Sequence, residues 1–214
     1  RMIAPFPPGG TSDVVARLIA QKLTDALGRQ VVVENRGGAA ANIGHEIAAK
    51  AAPDGYTLLL TSGAAMVNNQ FLYKKLNWEP AEFTPISMVA TQPFVYTAHP
   101  SLGVKTLPDF VQLARKQGAN LDWGTAGPGT SSRFSMELFK TTAGIEPTTI
   151  NYKGGAPMLI AVVGNEVQFT FATTITAMNF IRQDKVKVIA TASPQRLPYL
   201  PNVPTLIESG LKGF

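Results

Sequence analysis

The stretch that decides the fold is MIAPFPPGGTSDVVARLIAQKLTDALG, residues 2–28. A short apolar run is followed by three prolines and two glycines, and then by an amphipathic run that stops at Gly28. This is the pattern of a strand, a loop and a helix. A helix start carries partial positive charge and N–H groups without intrahelical partners. The loop is therefore either an ordinary helix cap or a cradle for a negatively charged group.

The residues of this first loop suit both interpretations. Gly9 and Gly10 have no side chains, so a ligand oxygen could approach their N–H groups closely. Thr11 and Ser12 can cap the helix or donate hydrogen bonds. Asp13 favours the helix dipole, but it would repel an anion unless a water or a ligand ammonium lay between them.

The same alternation continues along the chain. Further strands are predicted at 31–34, 56–61, 121–125, 148–152, 167–173 and 186–191, and further helices at 40–51, 107–116, 131–142 and 156–163. Residues 86–97 are predicted to form two extended runs, and residues 193–204, with four prolines, an extended surface segment. The pattern predicts an α/β protein with mostly parallel sheets.

A second loop, GTAGPGTSSRF at residues 124–134, has the same design. It lacks the lysine of a P-loop, because Thr130 stands at that position, which favours a carboxylate over a triphosphate. Arg133 is either a bidentate partner for a second carboxylate or a solvated surface arginine. The other candidate donors in this loop are Gly127, Gly129 and Ser131.

Two further turns follow predicted strands. YKGGAP, residues 152–157, offers Lys153 as a ligand contact or a solvent-facing lysine, and TSGAAM, residues 61–66, offers Thr61 and Ser62. Ligands of open α/β sheets bind beyond the carboxyl ends of strands. All four loops lie at such ends, so they could converge on one cleft.

Composition excludes several classes of protein. The chain has 214 residues, 45% of them hydrophobic, enough for one large domain or two small ones. No apolar run is long enough to span a bilayer. The net charge of +5 is spread along the chain, which does not favour nucleic-acid binding but does attract small anions. The absence of cysteine excludes disulfides and thiolate metal sites.

Catalytic patterns are lacking. The two histidines, His45 and His99, have no metal-ligand spacing, no GxSxG occurs, and no pair of carboxylates stands out on the loops. We therefore expect binding without turnover, and no catalytic residue, metal or cofactor. Two alternatives stay open: an enzyme acting on a phosphorylated small metabolite through Ser131 or Asp13, and a ligand-sensing module that signals to a membrane kinase.

Seven stretches together resemble the solute-binding receptors of the tripartite tricarboxylate transporter system, the Bug family. They are PFPPGGTSDVVARLIAQKL, VVVENRGGAAANIG, APDGYTLLLTS, FTPISMVA, GTAGPGTSSRFSMELFK, INYKGGAP and LPNVPTLIESGLKGF. The resemblance implies a two-lobed, type II-like Venus-flytrap fold that closes on a small mono- or dicarboxylate. It further implies a monomeric periplasmic protein, its signal peptide removed, that delivers the ligand to membrane transporter subunits.

The resemblance also implies a ligand site made of backbone groups and bridging waters. Its residues would be Phe6, Gly9, Gly10, Thr11 and Asp13 from one lobe, and Ala126, Gly127, Thr130 and Ser131 from the other. The chain departs from the family pattern at Ala39–Ala41, where glycines are common, at Arg133, where a histidine is common, and near Ala172, where an aspartate is common. These departures favour an organic acid without an amine.

The resemblance sets the expected domain boundaries. Residues 1–98 would form lobe 1, residues 99–193 would form lobe 2, and residues 194–214 would return to lobe 1. Family members usually continue beyond the position of Phe214, so the C-terminal part of lobe 1 is expected to be missing.

Overall fold

The computed structural model describes residues 1–211. The last part of the predicted return to lobe 1, residues 212–214, lies outside the described residues. The helices are α1 (Thr11–Leu27), α2 (Asn42–Ala49), α3 (Gly63–Leu72), α4 (Leu107–Gln117), α5 (Ser131–Ala143), α6 (Gly155–Val163) and α7 (Thr174–Arg182). The strands are β1 (Met2–Ala4), β2 (Val33–Asn35), β3 (Leu58–Leu59), β4 (Phe94–Ala98), β5 (Asp122–Thr125), β6 (Thr148–Asn151), β7 (Phe169–Thr173) and β8 (Lys187–Ala192).

Contacts between residues divide the chain into two compact units. The first unit is Arg1–Ala90 together with Gly127–Ser131, and the second is Thr91–Ala126 together with the chain from Ser132 onward. The short segment Gly127–Ser131 thus groups with the first unit, although it joins β5 to α5. How these units correspond to the predicted lobes stays a prediction.

The first unit has a small parallel sheet in the order β2-β1-β3. In register, Met2 of β1 lies opposite Val33 of β2 and Leu58 of β3. Helix α1 packs on this sheet through Ala16, whose small, fully buried side chain forms a cluster with Met2 and Ala4. The helix ends where Gly28 takes a left-handed conformation (φ 62°), which glycine adopts without steric cost.

The second unit has a five-stranded sheet in the order β6-β5-β7-β4-β8. Strand β5 runs parallel to β6 and β7, whereas β4 runs antiparallel to β7 and β8. The sheet is therefore mixed. Successive residues of β4 point to opposite faces, so Tyr96 joins an aromatic cluster on one face and Val95 an aliphatic cluster on the other. The aromatic cluster contains Tyr96, Phe110, Trp123, Phe139, Phe169 and Phe171.

The structure confirms the predicted α/β alternation and differs from the prediction in four segments. Residues 193–204, predicted as an extended segment, form bends and turns. Residues 63–72 and 174–182 form helices α3 and α7, which the sequence pattern did not predict. Of the two extended runs predicted at 86–97, only residues 94–97 lie in a strand, within β4. None of the helices in the described part of the chain is long and apolar enough to cross a membrane.

Candidate functional site

The first loop connects β1 to α1. Gly10 precedes the helix in an extended conformation and has no side chain to cap it. Its carbonyl accepts the N–H of Val14 at 3.0 Å, the first hydrogen bond of the helix, and its own N–H donates to the Pro7 carbonyl at 3.4 Å. A helix start of this kind leaves its first-turn N–H groups without carbonyl partners from a preceding turn. The N–H groups and the positive end of the helix dipole at such a start favour the binding of an anion.

Asp13 holds the loop from within the first helical turn. Its Oδ2 accepts the N–H of Gly9 at 2.9 Å, and its Oδ1 lies 2.9 Å from Nη2 of Arg17. Burial of the carboxyl raises its pKa, but hydrogen bonds from Gly9, Arg17 and Asn35 outweigh the burial and set the pKa below 3.8. The carboxylate is therefore charged at neutral pH and already paired. The Gly9 N–H, predicted as a ligand donor, instead donates to Asp13 in this structure.

Strand β2 supports the same loop from the side. Asn35 at its end donates from Nδ2 to the Phe6 carbonyl at 3.1 Å and accepts from Nη2 of Arg17 at 3.2 Å. Asn35 and Arg17 were not predicted as part of the site. For Arg17 the sequence did contain a signal, because it follows Asp13 by four residues, the spacing of an ion pair on one helix face. Asn35 had no such signal.

The second loop, which connects β5 to α5, is also held by internal hydrogen bonds. The N–H of Ala126 donates to Oγ of Ser132 at 3.0 Å, and the hydroxyl of Thr130 donates to the Gly127 carbonyl at 2.6 Å. Gly127 and Gly129 have positive φ angles of 114° and 75°. Ser132 and Thr130 are buried. As at Asp13, a side chain from the first helical turn accepts a loop N–H.

Arg133 has partners on its own unit. Its Nη2 lies 2.8 Å from Oε1 of Glu137, one turn along α5, and its Nη1 lies 3.5 Å from Oδ1 of Asn151. The same Asn151 oxygen accepts the hydroxyl of Thr125 at 2.8 Å. The guanidinium is thus held at the carboxyl ends of β5 and β6.

The other predicted site residues are placed differently from one another. Lys153 is exposed, and Ala172 is fully buried within β7. Ser62 caps α3, since its Oγ accepts the N–H of Ala65 at 3.3 Å. The hydroxyl of Thr61 lies 2.8 Å from Nε2 of His45. Their role as ligand contacts stays a prediction.

His45 lies in the core of the first unit. Its ring is fully buried, 4.6 Å from the ring of Trp78 and 6.3 Å from that of Phe83, measured between centroids. Burial lowers the pKa of His45 to about 4, so the ring is neutral at neutral pH. Residues 1–211 contain no group of three or more His, Cys, Asp or Glu side chains that could hold a metal ion.

Comparison with known proteins identifies the family. Residues 15–214 match the model of the family described as "Tripartite tricarboxylate transporter family receptor". The chain belongs to this family. The resemblance to Bug receptors is thereby confirmed, and the tripartite tricarboxylate transporter receptors are a family of receptors and not of enzymes.

Three solved structures resemble this chain. Rpa4515 of R. palustris with adipate is 33% identical, with a TM-score of 0.97 over 100% of this chain and 72% of its own. MatC of Rhodopseudomonas palustris with bound malate is 32% identical, with a TM-score of 0.92 over 100% of this chain and 73% of its own. The periplasmic binding protein BugD is 35% identical, with a TM-score of 0.93 over 99% of this chain and 71% of its own. The chain therefore has the fold of periplasmic binding proteins, as predicted.

The chain matches only part of the length of its relatives. It spans 62% to 66% of the length of the curated relatives that it matches at 26% to 35% identity over at least 98% of its own length.

Proposed function

We propose that this chain binds a small mono- or dicarboxylic organic acid as part of a periplasmic receptor that delivers the acid to membrane transporter subunits. The observation that carries the proposal is its likeness, over the whole chain, to one solved protein with adipate and another with malate. Membership of the receptor family supports the transporter as partner. The proposed receptor is a monomer and has no catalytic role.

The carboxylate is bound, in this proposal, by backbone N–H groups of the two helix starts. In the first loop these are the groups at Thr11 and Ser12, in the loop whose Phe6 carbonyl accepts a hydrogen bond from Asn35. In the second loop they lie between Gly127 and Ser131. Peptide dipoles fixed in advance stabilise a negative charge without reorganising when the ligand arrives.

Asp13 acts in this site through the loop and not by touching the ligand. Its charge is paired with Arg17, and its Oδ2 holds the Gly9 N–H in place. The pairing reduces the repulsion that an unpaired carboxylate would exert on an incoming anion. Ser132 has the corresponding position in the second loop, where it holds Ala126.

Arg133 sets the preference for a second acid group. Its guanidinium is already charged and partly ordered by Glu137 and Asn151, so a distal carboxylate could replace one of these partners at small entropic cost. A ligand ammonium would meet an arginine at this end. The proposed ligand therefore lacks an amine.

Isothermal titration with adipate, malate, a monocarboxylate, an amino acid and inorganic phosphate tests the proposal. We expect heat of binding with at least one of the organic acids, and none with phosphate or the amino acid. Arg133→Gln should lower the affinity for a dicarboxylate by about tenfold, since one charge-assisted pair is lost. It should lower the affinity for a monocarboxylate much less. Arg29→Gln, at an exposed arginine, removes the same charge and should change neither affinity. A folded chain that binds none of the acids would contradict the proposal.

A further inference from the structure

We propose that Asn68 is a positioning residue for ligand binding, which holds the second loop in the conformation that receives the carboxylate. The inference rests on the proposed function. Asn68 lies in α3, a helix that the sequence pattern did not predict, and its Nδ2 donates to the Gly129 carbonyl at 3.1 Å. Both residues belong to the first unit, which includes Gly127–Ser131.

The second loop also contacts α3 at Asn69, the residue after Asn68. A Cβ atom at Gly129 would lie 2.2 Å from Oδ1 of Asn69 and 3.3 Å from Cδ1 of Leu72. The φ of Gly129 is also positive, at 75°, which a side chain would strain. Only glycine fits this contact. The loop therefore packs tightly against the side chains of Asn69 and Leu72 on α3.

The face of α3 that meets the loop is itself fixed. Asn69 is fully buried, and its Nδ2 donates to the Ala40 carbonyl at 2.8 Å and to Oδ1 of Asn42 at 2.9 Å. The indole N–H of Trp78 donates to the same Asn42 oxygen at 3.1 Å. These hydrogen bonds join α3 to the start of α2. Asn68 thus donates from a rigid support.

Holding one carbonyl orients the neighbouring amide. The peptide group between Gly129 and Thr130 is planar, so fixing the Gly129 oxygen also fixes the direction of the Thr130 N–H on the other side of the bond. That N–H donates to the Gly127 carbonyl at 3.4 Å, so the same peptide also sets the turn of the loop. The next residue, Ser131, begins α5. Asn68 therefore sets the orientation of the peptide that leads into the second helix start, without lying in either loop.

The test compares Asn68→Asp with Gln70→Glu. The first variant keeps the shape of the side chain, removes the donor and places a carboxylate oxygen against the Gly129 carbonyl. The second makes the same change of amide to acid on the same helix, where Gln70 is exposed and donates only to carbonyls of its own helix, Met66 and Val67. Asn68→Ala removes the donor without adding charge.

Two quantities are measured in each variant: the affinity for adipate or malate, and amide hydrogen exchange of residues 127–131 without ligand. We expect Asn68→Asp to bind about tenfold more weakly and Asn68→Ala several-fold more weakly, as loss of one hydrogen bond predicts. Exchange in the loop should be faster in both, while exchange in α1 stays at the rate of the parent chain. Gln70→Glu should match the parent chain in both measurements.

The outcomes separate the two proposals. A parent chain that binds no organic acid contradicts the proposed function, and the ligand role of Asn68 with it. A parent chain that binds an acid, with equal affinity in Asn68→Asp, contradicts the role of Asn68 alone. Faster exchange throughout α1 as well as the loop would assign Asn68 to stability and overturn its positioning role.

Discussion

At the scale of single residues, one carboxylate and one hydroxyl hold the two loops in the same manner. Asp13 accepts the N–H of Gly9, and Ser132 accepts that of Ala126. The sequence indicated that polar residues cluster at these helix starts, because such residues are common helix caps. It did not indicate which loop N–H each side chain would take, since that depends on how the loop turns back on the helix.

His45 gives a prediction about acid stability. Its pKa is about 4 in the folded chain and 6.5 when it is unperturbed. Between these values the unfolded chain binds a proton that the folded chain excludes, so stability is present above pH 6.5 and is lost as the pH falls towards 4. The loss attributable to this ring is about 3 kcal/mol.

Urea unfolding between pH 7 and pH 4 measures this effect. The free energy of unfolding of the parent chain should fall more steeply with acid than that of His45→Gln, which has no imidazole to protonate. Equal falls in the two proteins would show that His45 does not carry the acid sensitivity.

At the scale of elements, close packing of α2 positions the first loop. Gly44 of α2 faces the end of β1, where an added Cβ would lie 2.5 Å from Cβ of Pro5 and 2.9 Å from the Arg36 carbonyl. Pro5 directly follows β1 and Arg36 directly follows β2. Neither residue can move away from an added Cβ without shifting the strand that precedes it. Glycine at position 44 is therefore required for α2 to approach β1 this closely.

Gly44→Ala should lower the free energy of unfolding by about 1–3 kcal/mol, because overpacking forces backbone to shift. Gly63→Ala is the matched control: Gly63 begins α3, and an added Cβ there would meet nothing within 4 Å. That variant should be neutral or slightly stabilising, since alanine favours a helix. Chemical denaturation measures both, and equal stabilities for the two variants would refute the packing argument.

Elements with a clear period were predictable, and those without one were not. The existence of helix α1 and its end at Gly28 were predicted because its apolar positions recur at helical spacing and a glycine follows them. Helix α3 has two asparagines in its centre, one of them buried, and therefore lacks an apolar stripe. Helix α7 begins with Thr174, Ile175 and Thr176, whose β-branched side chains resemble a continuation of β7.

The pairing of strands distant in the chain could not be predicted from the sequence. Strand β4 lies between β7 and β8 and runs antiparallel to both, although nothing in residues 94–98 specifies those partners. The support of the second loop by α3 depends equally on tertiary contact, because Asn68 and Gly129 are 61 residues apart. The sequence could therefore predict the loops of the candidate site but not what holds them.

At the scale of the whole molecule, the two units have cores of different size. In the first unit the buried apolar cluster around β1 is Met2, Ala4 and Ala16, with half-buried neighbours. The second unit has an aromatic cluster on one face of its sheet and an aliphatic cluster on the other. Because stability follows buried apolar area, the first unit should unfold at lower urea concentration.

Each unit contains one of the two tryptophans, which makes this prediction measurable. Trp78 lies in the first unit and Trp123 in the second, and both are buried. Fluorescence of Trp123→Phe, which retains Trp78, should report unfolding at lower urea than fluorescence of Trp78→Phe, which retains Trp123. Circular dichroism of each variant controls for the substitution itself. Coincident transitions in both variants would show that the chain unfolds as one unit.

The most direct test of the proposed function is an NMR titration that follows backbone amide signals as adipate or malate is added. We predict that the amides of residues 10–12 and those of Gly127 and residues 129–131 shift together along one binding curve, because both helix starts hold the same carboxylate. Saturable binding that shifts the amides of neither loop, or of one loop alone, would contradict the account.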